Sequence, residues 1–233
     1  MNIRPRLRAI ADLVPPSRRL ADIGTDHGYL PLYLVQWGRI PSAIAADVSA
    51  GSLKKASVLI DQNNMYHVIE TRLGDGLSVL SAGEVDTIVI AGMGGVLISE
   101  ILQQGEEIAR NASTLILQPM IGQEELRRWL IQNHYRIQDE DLVKESNRIY
   151  EIIVAVPDAQ VKEYDNNIYY EIGLSWITKK HPLLKEWLEK RIRGLKELIK
   201  GLEMGQANTV ETRLREAQEK LRQYEEVYRC HIK

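Results

Sequence analysis

The residues with the clearest capacity for chemistry lie in a loop near the start of the chain, residues 22–28 (DIGTDHG). Gly24 and Gly28 allow the backbone to turn sharply and to approach a ligand closely. The helix expected after Gly28 directs unpaired N–H groups at that ligand, which favours a carboxylate or another anion. Asp26 stands where a dinucleotide-binding loop has its second glycine. A carboxylate there would repel a pyrophosphate but suits the sulfonium and amino group of S-adenosylmethionine; a purely structural turn is the alternative.

Three more loops follow predicted strands and would complete a site for an adenosine-type ligand. Asp47 ends the second strand, where a carboxylate accepts hydrogen bonds from ribose hydroxyls, although it would also help to cap the following helix. Residues 74–77 (GDGL) contain Asp75, which would meet an adenine amino group unless the segment is a plain turn. Residues 91–95 (AGMGG) hold three glycines in four positions, which indicates backbone crowded against a ligand. The predicted cofactor-binding residues are Asp22, Gly24, Thr25, Gly28, Asp47, Val48, Asp75, Gly76, Gly92 and Gly94.

These loops need a parallel sheet to bring them together, and the sequence has the pattern of one. Short apolar runs alternate with helical patterns as far as about residue 156, which indicates a doubly wound α/β sheet. The predicted strands are 20–23, 43–47, 67–72, 87–91 and 114–118, and the predicted helices are 31–37, 49–63, 96–109 and 124–133.

The predicted sheet ends differently from how it begins. Two strand-like runs, 135–143 and 148–156, are joined by the four residues KESN, and so short a connection predicts an antiparallel hairpin. Five parallel strands followed by a hairpin make a seven-stranded, Rossmann-like sheet of the kind found in class I methyltransferases. Nicotinamide-binding folds usually continue with a sixth parallel strand.

The pattern changes again after Pro157. Residues 158–165 are polar, as in a linker. From His181 apolar residues recur at spacings of four and three, stop around Gly205, and resume as far as Tyr228. Two heptad-patterned helices joined by a short turn predict an antiparallel coiled-coil hairpin. We therefore predict two domains, an S-adenosylmethionine-binding domain over residues 1–160 and a helical coiled-coil domain over residues 161–233.

Bulk composition excludes several functional classes. The chain has 233 residues, a net charge of −2 and one cysteine, Cys230, so we expect no intrachain disulfide and no metal cluster. No apolar run approaches the roughly 20 residues that span a bilayer, and the first residues lack the apolar core of a signal peptide, so we expect a cytoplasmic protein. Basic residues cluster despite the acidic total, which can serve a polyanion; a solvated basic helix is the alternative.

The segments 21–31 (ADIGTDHGYLP), 46–49 (ADVS), 74–76 (GDG) and 91–95 (AGMGG) together resemble the bacterial tRNA (adenine-22-N1)-methyltransferases. The resemblance extends over essentially the whole chain, and the first and last of these motifs are its specific ones. It implies a Rossmann-type methyltransferase domain with a coiled-coil appendage. It also implies S-adenosylmethionine as the donor, S-adenosylhomocysteine as the product, no metal, and tRNA as the substrate.

The resemblance in turn suggests roles for individual side chains. Adenine N1 already has a lone pair, so methylation needs alignment and exclusion of water rather than a strong base, and the adenine must be unpaired or flipped into a pocket. Asp26 is expected to stabilise the positive charge that develops on the base. Tyr29 or His27 is expected to stack on or hydrogen-bond the base, and Met93 to form a wall of the pocket. The expected phosphate contacts are Arg4, Arg6 and Arg8 and, on the coiled coil, Lys190, Arg191 and Arg193.

The sequence leaves other functions open. A methyltransferase that acts on another RNA, a small molecule or a protein is the main alternative. A non-catalytic RNA-binding protein with a vestigial cofactor fold is disfavoured by the intact Asp22, Gly24 and Asp47. A nicotinamide-dependent dehydrogenase is disfavoured by the glycine spacing and the terminal hairpin. We expect a monomer, with a dimer through the coiled coil as the alternative.

Overall fold

A single mixed sheet of seven strands occupies residues 20–157. The computed structural model describes residues 2–204 and 208–232. The strands are β1 (Leu20–Ile23), β2 (Ala43–Asp47), β3 (Ile69–Leu73), β4 (Thr87–Gly94), β5 (Thr114–Ile121), β6 (Tyr135–Glu145) and β7 (Arg148–Pro157). Their order is β3-β2-β1-β4-β5-β7-β6, with β1 to β5 parallel and β7 antiparallel to both of its neighbours. The predicted class of fold, with its terminal hairpin, is confirmed.

Helices cover both faces of this sheet. They are α1 (Pro5–Asp12), α2 (Tyr29–Gln36), α3 (Ala50–Gln62), α4 (Gly95–Gln104), α5 (Glu106–Asn111) and α6 (Gln123–Gln132). Every residue of β1 is buried, as expected for a central parallel strand with helices on both sides. Ala21 and Ile23 belong to one cluster of buried apolar side chains, and Leu20 belongs to a second cluster on the other face of the sheet. The sheet is therefore held from both sides, and its carboxyl edge remains available for a ligand.

Two strands exceed their predicted ends by more than the others do. Strands β4 and β5 each continue for three residues beyond the predicted end, and Gly94 still pairs with Ile121. The register shifts on both sides of Met93, as in a β-bulge, so the glycine-rich segment is an irregular strand end and not a loop. The prediction of one helix over 96–109 is wrong, because α4 and α5 are separate helices that meet at Gly105, and glycine is a poor helix former.

A buried ionic cluster joins the terminal hairpin to α6. Arg127 Nε lies 2.7 Å from Glu140 Oε1, and Arg127 Nη2 lies 2.9 Å from Glu151 Oε2. All three side chains are buried. Breaking such a buried pair leaves an uncompensated charge, so the cluster fixes how β6 and β7 sit against the helix. No sequence pattern indicated this cluster, because arginine and glutamate are usually exposed.

The second part of the chain is helical. It contains α7 (Ile168–Glu171), α8 (Leu174–Thr178), α9 (Leu184–Glu203) and α10 (Asn208–His231), of which the two short helices were not predicted. The chain divides into two compact units, Met1–Asp165 and Asn166–Lys233, while a domain boundary between residues 160 and 161 stays a prediction. The predicted turn at Gly205 lies outside the described residues. Among the described helices, none is long and apolar enough to cross a membrane.

Candidate functional site

The carboxyl ends of β1 to β5 meet at one edge of the sheet, and every predicted cofactor-binding residue lies at or shortly after the end of one of these strands. Strand β1 lies between β2 and β4, so the chain winds in opposite directions on its two sides. In open α/β sheets the crevice at such a switch point is the usual place for a ligand. The topology therefore brings the predicted motifs together around the end of β1.

The loop after β1 is fastened to the end of β2 by its backbone. The amides of Gly24 and Thr25 both donate to the Ala46 carbonyl, at 2.8 and 2.9 Å. Gly24 has φ +78° and Gly28 has φ +69°, conformations that side chains other than glycine rarely adopt. The Gly28 amide donates to Thr25 Oγ1 at 3.2 Å, which closes the turn before α2 begins. The loop is thus a tightly hydrogen-bonded turn at the end of β1.

Asp22 is a buried acid at the base of this turn, with only 8% of its surface exposed. Burial raises the pKa of its carboxyl group to about 6, since the charged form loses hydration. A hydrogen bond with Thr25 and the positive charge of Arg6 oppose this rise, and the charge of Asp47 adds to it. A bound cation would lower the pKa of Asp22, as the charge of Arg6 does, and so favour the ionised form.

Asp47 serves the following helix and keeps one oxygen available. Its Oδ1 accepts a hydrogen bond from the Ser49 amide at 2.7 Å, whereas Oδ2 has no hydrogen-bond partner within the described part of the chain. The cap of α3 is Ser49, whose hydroxyl oxygen accepts from the Ser52 amide at 3.3 Å. The two interpretations of Asp47 are therefore compatible, and its free oxygen lies where ribose hydroxyls are bound in such folds. Val48, next to it, is exposed.

The loop after β3 lies beside Asp47. The Gly74 amide donates to the Asp47 carbonyl at 3.1 Å, which ties the two strand ends together. Asp75 is exposed and precedes a short 3-10 turn that begins at Gly76, where φ is +52°. The acidic side chain therefore lies one strand further from β1 than Asp47, in the position that the sequence predicted for contact with an adenine ring.

Strand β4 closes the other side of the turn with its glycine-rich end. A Cβ atom added to Gly24 would lie 2.2 Å from the Met93 Cε atom, so the Met93 side chain lies directly over the glycine turn. Gly92 has φ +85°. A Cβ atom added to Gly95 would lie 2.0 Å from the Gly122 carbonyl oxygen, which excludes any side chain there. These glycines let β4 and β5 approach each other and the turn closely.

The predicted catalytic side chains fall into two places. Asp26 is 67% exposed and faces α3, with Oδ1 3.4 Å from Ser52 Oγ and 3.7 Å from Lys55 Nζ. The His27 ring lies 3.2 Å from Asp26 Oδ2 and stacks on Tyr29, with ring centroids 5.1 Å apart. These three side chains form one group at the rim, whereas Met93 lies over Gly24.

The arginines of α1 do not form one patch, which corrects the grouping made from the sequence. Arg4 and Arg8 are four residues apart and share one side of the helix, and Arg6 therefore points to another side. Arg8 pairs with Asp12 and lies over the Tyr33 ring, at 5.3 Å from its centroid. Arg4, at the helix N-terminus, is exposed.

Arg6 instead joins the carboxyl edge of the sheet. Its Nη1 donates to Gln118 Oε1 at 2.5 Å, and its guanidinium lies over the Tyr150 ring at 5.7 Å. Its backbone amide donates to Glu145 Oε2 at 3.0 Å, and a Cβ atom on Gly92 would lie 3.7 Å from Nη1. The sequence predicted Gln118, Pro119 and Met120 at the rim of the site, at the end of the fifth strand, but not that Arg6 would pair with Gln118 there.

The second unit carries the other predicted phosphate contacts on α9. The Arg191 guanidinium lies over the Trp187 ring at 5.0 Å, and Lys190 is exposed. Arg193 lines a groove between α9 and α10. Further basic residues line the same groove, namely Lys196, Lys200, Arg222 and Arg229.

A metal ion has no evident place in the part of the chain that the structure describes, since no three His, Cys, Asp or Glu side chains cluster there. Glycine turns, single carboxylates, aromatic rings and one arginine are the groups that this edge offers.

Comparison with known proteins identifies this arrangement. Residues 3–153 match a family model described as a methyltransferase domain. The chain is 37% identical over 165 residues to the tRNA (adenine(22)-N(1))-methyltransferase of Bacillus subtilis (strain 168), a match that covers 71% of this chain and 69% of that protein.

Two solved structures agree with the whole fold. The m1A22 tRNA methyltransferase TrmK of B. subtilis superimposes with a TM-score of 0.87 at 29% identity, over 97% of this chain and 98% of that one. A putative tRNA (m1A22) methyltransferase of Streptococcus pneumoniae, in complex with S-adenosyl-L-methionine, gives a TM-score of 0.86 at 30% identity, over 97% and 99% of the two chains.

Proposed function

The chain belongs to the family of tRNA (adenine(22)-N(1))-methyltransferases, and on this premise we propose how its residues carry out the reaction. It transfers a methyl group from S-adenosylmethionine to N1 of adenine 22 in tRNA. One observation carries this function: the turn at Gly24 and the available oxygen of Asp47 stand on adjacent strand ends, in a chain 37% identical to a protein named for the reaction.

The carboxyl edge fits the methyl donor, which supplies an electrophilic methyl group on a sulfonium. We assign the methionine part of the donor to the Gly24 turn, which the hydrogen bond between Gly28 and Thr25 keeps closed. Asp22 provides negative charge at the base of the site, where the donor is cationic. We assign the remaining contacts in the order of the strands, with Asp47 and Val48 at the ribose, Asp75 and Gly76 at the adenine ring, and Gly92 and Gly94 along the opposite wall.

The acceptor adenine needs positioning more than activation. Its N1 lone pair attacks the methyl group; as the new N–C bond forms, the methyl–sulfur bond breaks, so the positive charge passes to the adenine and S-adenosylhomocysteine is released. Met93 lies at the turn where this transfer takes place and excludes water from it. Asp26, His27 and Tyr29 form the rim group that meets the base, and the Asp26 carboxylate stabilises its developing charge.

The tRNA body requires phosphate contacts beyond the pocket. Arg6 is held at the edge itself, beside Gln118 and Gly92. We assign the outer phosphate contacts to Arg4 and Arg8 on α1 and to Lys190, Arg191 and Arg193 on α9. We further propose that the protein acts as a monomer in the cytoplasm, where its tRNA substrate is found.

The decisive experiment follows the methyl group into RNA. The protein is incubated with methyl-labelled S-adenosylmethionine and bulk bacterial tRNA, and the RNA is digested to nucleosides. We expect label in N1-methyladenosine, and no label when a single transcript carries guanine in place of adenine 22. Label in another nucleoside would show that the methyl acceptor is not adenine N1. An absence of label in RNA would contradict a tRNA substrate.

A further inference from the structure

An exposed apolar rim continues the carboxyl edge beyond β4 and β5. We define it by four side chains: Met120 and Ile121 at the end of β5, and Val96 and Leu97 in the first turn of α4. Their exposed fractions are 36%, 72%, 56% and 48%. Scattered exposed apolar residues are ordinary, but a group gathered beside a site marks a surface that binds something.

The backbone holds these side chains together. Gly94 pairs with Ile121, and a Cβ atom on Gly94 would lie 3.7 Å from Ile121 Cγ1. Gly95, which begins α4, lies so close to Gly122 that no side chain fits between them. Val96 and Leu97 therefore start α4 directly beside the end of β5, so the four exposed side chains stand on neighbouring backbone segments.

The rim also borders the place where the base enters. Gln118 is buried and donates from Nε2 to the Pro119 carbonyl and to Met120 Sδ, at 2.9 and 3.7 Å. Its Oε1 accepts from Arg6, so a single buried amide connects the arginine to the first side chain of the rim. The rim begins where the pocket wall around Met93 ends, since Met93 and Gly94 are consecutive residues of β4.

From this placement beside the Met93 segment we propose that the apolar rim is a wedge: it stacks against the bases that flank the target adenine when that adenine leaves the RNA stack. The proposal rests on the methyl transfer assigned above and identifies a further part of its RNA site. Extruding a base costs stacking with its neighbours, and aliphatic side chains inserted at base steps replace that contact in other nucleic-acid complexes. The Arg6 guanidinium at one end suits a phosphate of the same strand.

A nucleobase fits the rim better than a phosphate does. Apolar side chains offer no hydrogen bonds to a phosphate but contact the flat face of any base. The Glu125 carboxylate lies near Gly122, where a Cβ atom would be 3.7 Å from Oε2, and it repels phosphate from the far end of the rim. The Arg6 cation at one end of the rim and the Glu125 anion at the other thus orient the RNA strand across the apolar side chains.

The test uses the full-length protein with the double substitution L97S/I121S. Both side chains are exposed, so folding should be unchanged, which thermal unfolding verifies. The matched control is V58S, which removes an equally exposed valine from α3. We expect kcat/KM for a tRNA transcript to fall about tenfold for the double variant, as for the loss of one stacking contact, and to stay unchanged for V58S.

A second substrate separates a wedge from a general defect. In this transcript the two nucleotides flanking adenine 22 are abasic, so no neighbouring base is left to stack. We expect wild type and double variant to methylate it at the same rate. An equal loss on both transcripts, or no loss on either, would overturn the proposal. A concentration-dependent dimer of the wild type that the double variant lacks would also overturn it, because the rim would then bind a second copy.

These outcomes are distinguishable from failure of the proposed function. Wild-type protein that forms no N1-methyladenosine on the intact transcript contradicts the function itself. Wild-type protein that forms it, with a double variant of equal kcat/KM, contradicts the wedge alone.

Discussion

Along the carboxyl edge of the sheet, the half formed by β1 to β3 is acidic and the half formed by β4 and β5 is apolar with one arginine. The first half carries Asp22, Asp47 and Asp75, each at a strand end or just after it. The second half carries Met93 and the apolar rim, with Arg6 held against Gln118. The two halves belong to one sheet and share the same backbone geometry, so the difference between them lies in their side chains.

This difference matches the two molecules that must meet at the edge. The methyl donor is cationic and rich in hydroxyl groups, which carboxylates bind well. The acceptor is a flat base attached to a polyanion, which apolar side chains and a guanidinium bind well. The halves should therefore respond separately to mutation, with β1 to β3 variants changing donor affinity and β4 to β5 variants changing RNA reactivity.

The largest expected effect comes from a substitution in the half formed by β1 to β3, which we call the donor half. Asp47→Ala removes the carboxylate assigned to two ribose hydroxyls, and each lost hydrogen bond to a charged group is substantial, so we expect donor affinity to fall about a hundredfold. Calorimetric titration with S-adenosylmethionine measures it. Affinity for tRNA should be unchanged, and thermal unfolding tests whether loss of the Ser49 contact disturbs α3. Equal weakening of donor and tRNA binding would argue against separate halves.

The next largest effect is expected from a substitution in the half formed by β4 and β5, which we call the acceptor half. Arg6→Ala should lower kcat/KM for tRNA about thirtyfold, because a charge-assisted contact to phosphate is lost, and leave donor affinity nearly unchanged. Arg18→Ala is the matched control, since Arg18 is exposed and pairs with Asp86, just before β4, at the opposite edge of the sheet. The assignment fails if the two variants lose tRNA activity equally.

A pH titration tests whether the acidic character of the donor half matters for donor binding. Because burial raises the pKa of Asp22 to about 6, its carboxyl group is ionised above that pH and protonated below it. Binding of a cationic donor requires the ionised form, so affinity should be full near pH 7 and fall about tenfold by pH 5. Asp22→Asn should bind weakly with little dependence on pH. A wild-type affinity that is constant over this range would exclude Asp22 from donor binding.

The donor half was also the more predictable of the two from sequence. The bounds of β1 and β2 agree with prediction because each is a short apolar run ended by glycine or aspartate, and the ligand residues follow within a few positions. Local patterns of this kind need no knowledge of tertiary contacts. A ligand-binding turn is formed by consecutive residues, so its pattern can be recognised in the sequence.

The acceptor half depends on contacts between distant residues. Arg6 and Gln118 are 112 positions apart, and their pairing follows only from packing of α1 against the sheet. Helical spacing puts Arg6 on a different side of α1 from Arg8, but which of these sides faces the sheet depends on how α1 packs. The burial of Arg127 could not be predicted for the same reason, because it depends on two glutamates from the distant hairpin. Long-range polar clusters leave no periodic signal.

Asp26 gives the smallest expected effect, because it belongs by sequence to the donor half and by assignment to the acceptor. It is mostly exposed and faces Lys55, so solvent and a neighbouring cation weaken its influence on the base. We expect Asp26→Asn to retain donor affinity and to slow methyl transfer about fivefold in single-turnover measurements, since an exposed charge contributes far less than a buried one. Lys55→Met, which removes the competing cation, should leave that step equal or slightly faster. An unchanged rate in Asp26→Asn would remove this carboxylate from catalysis, whereas a loss beyond a hundredfold would require it to turn from α3 into the pocket when the substrates bind.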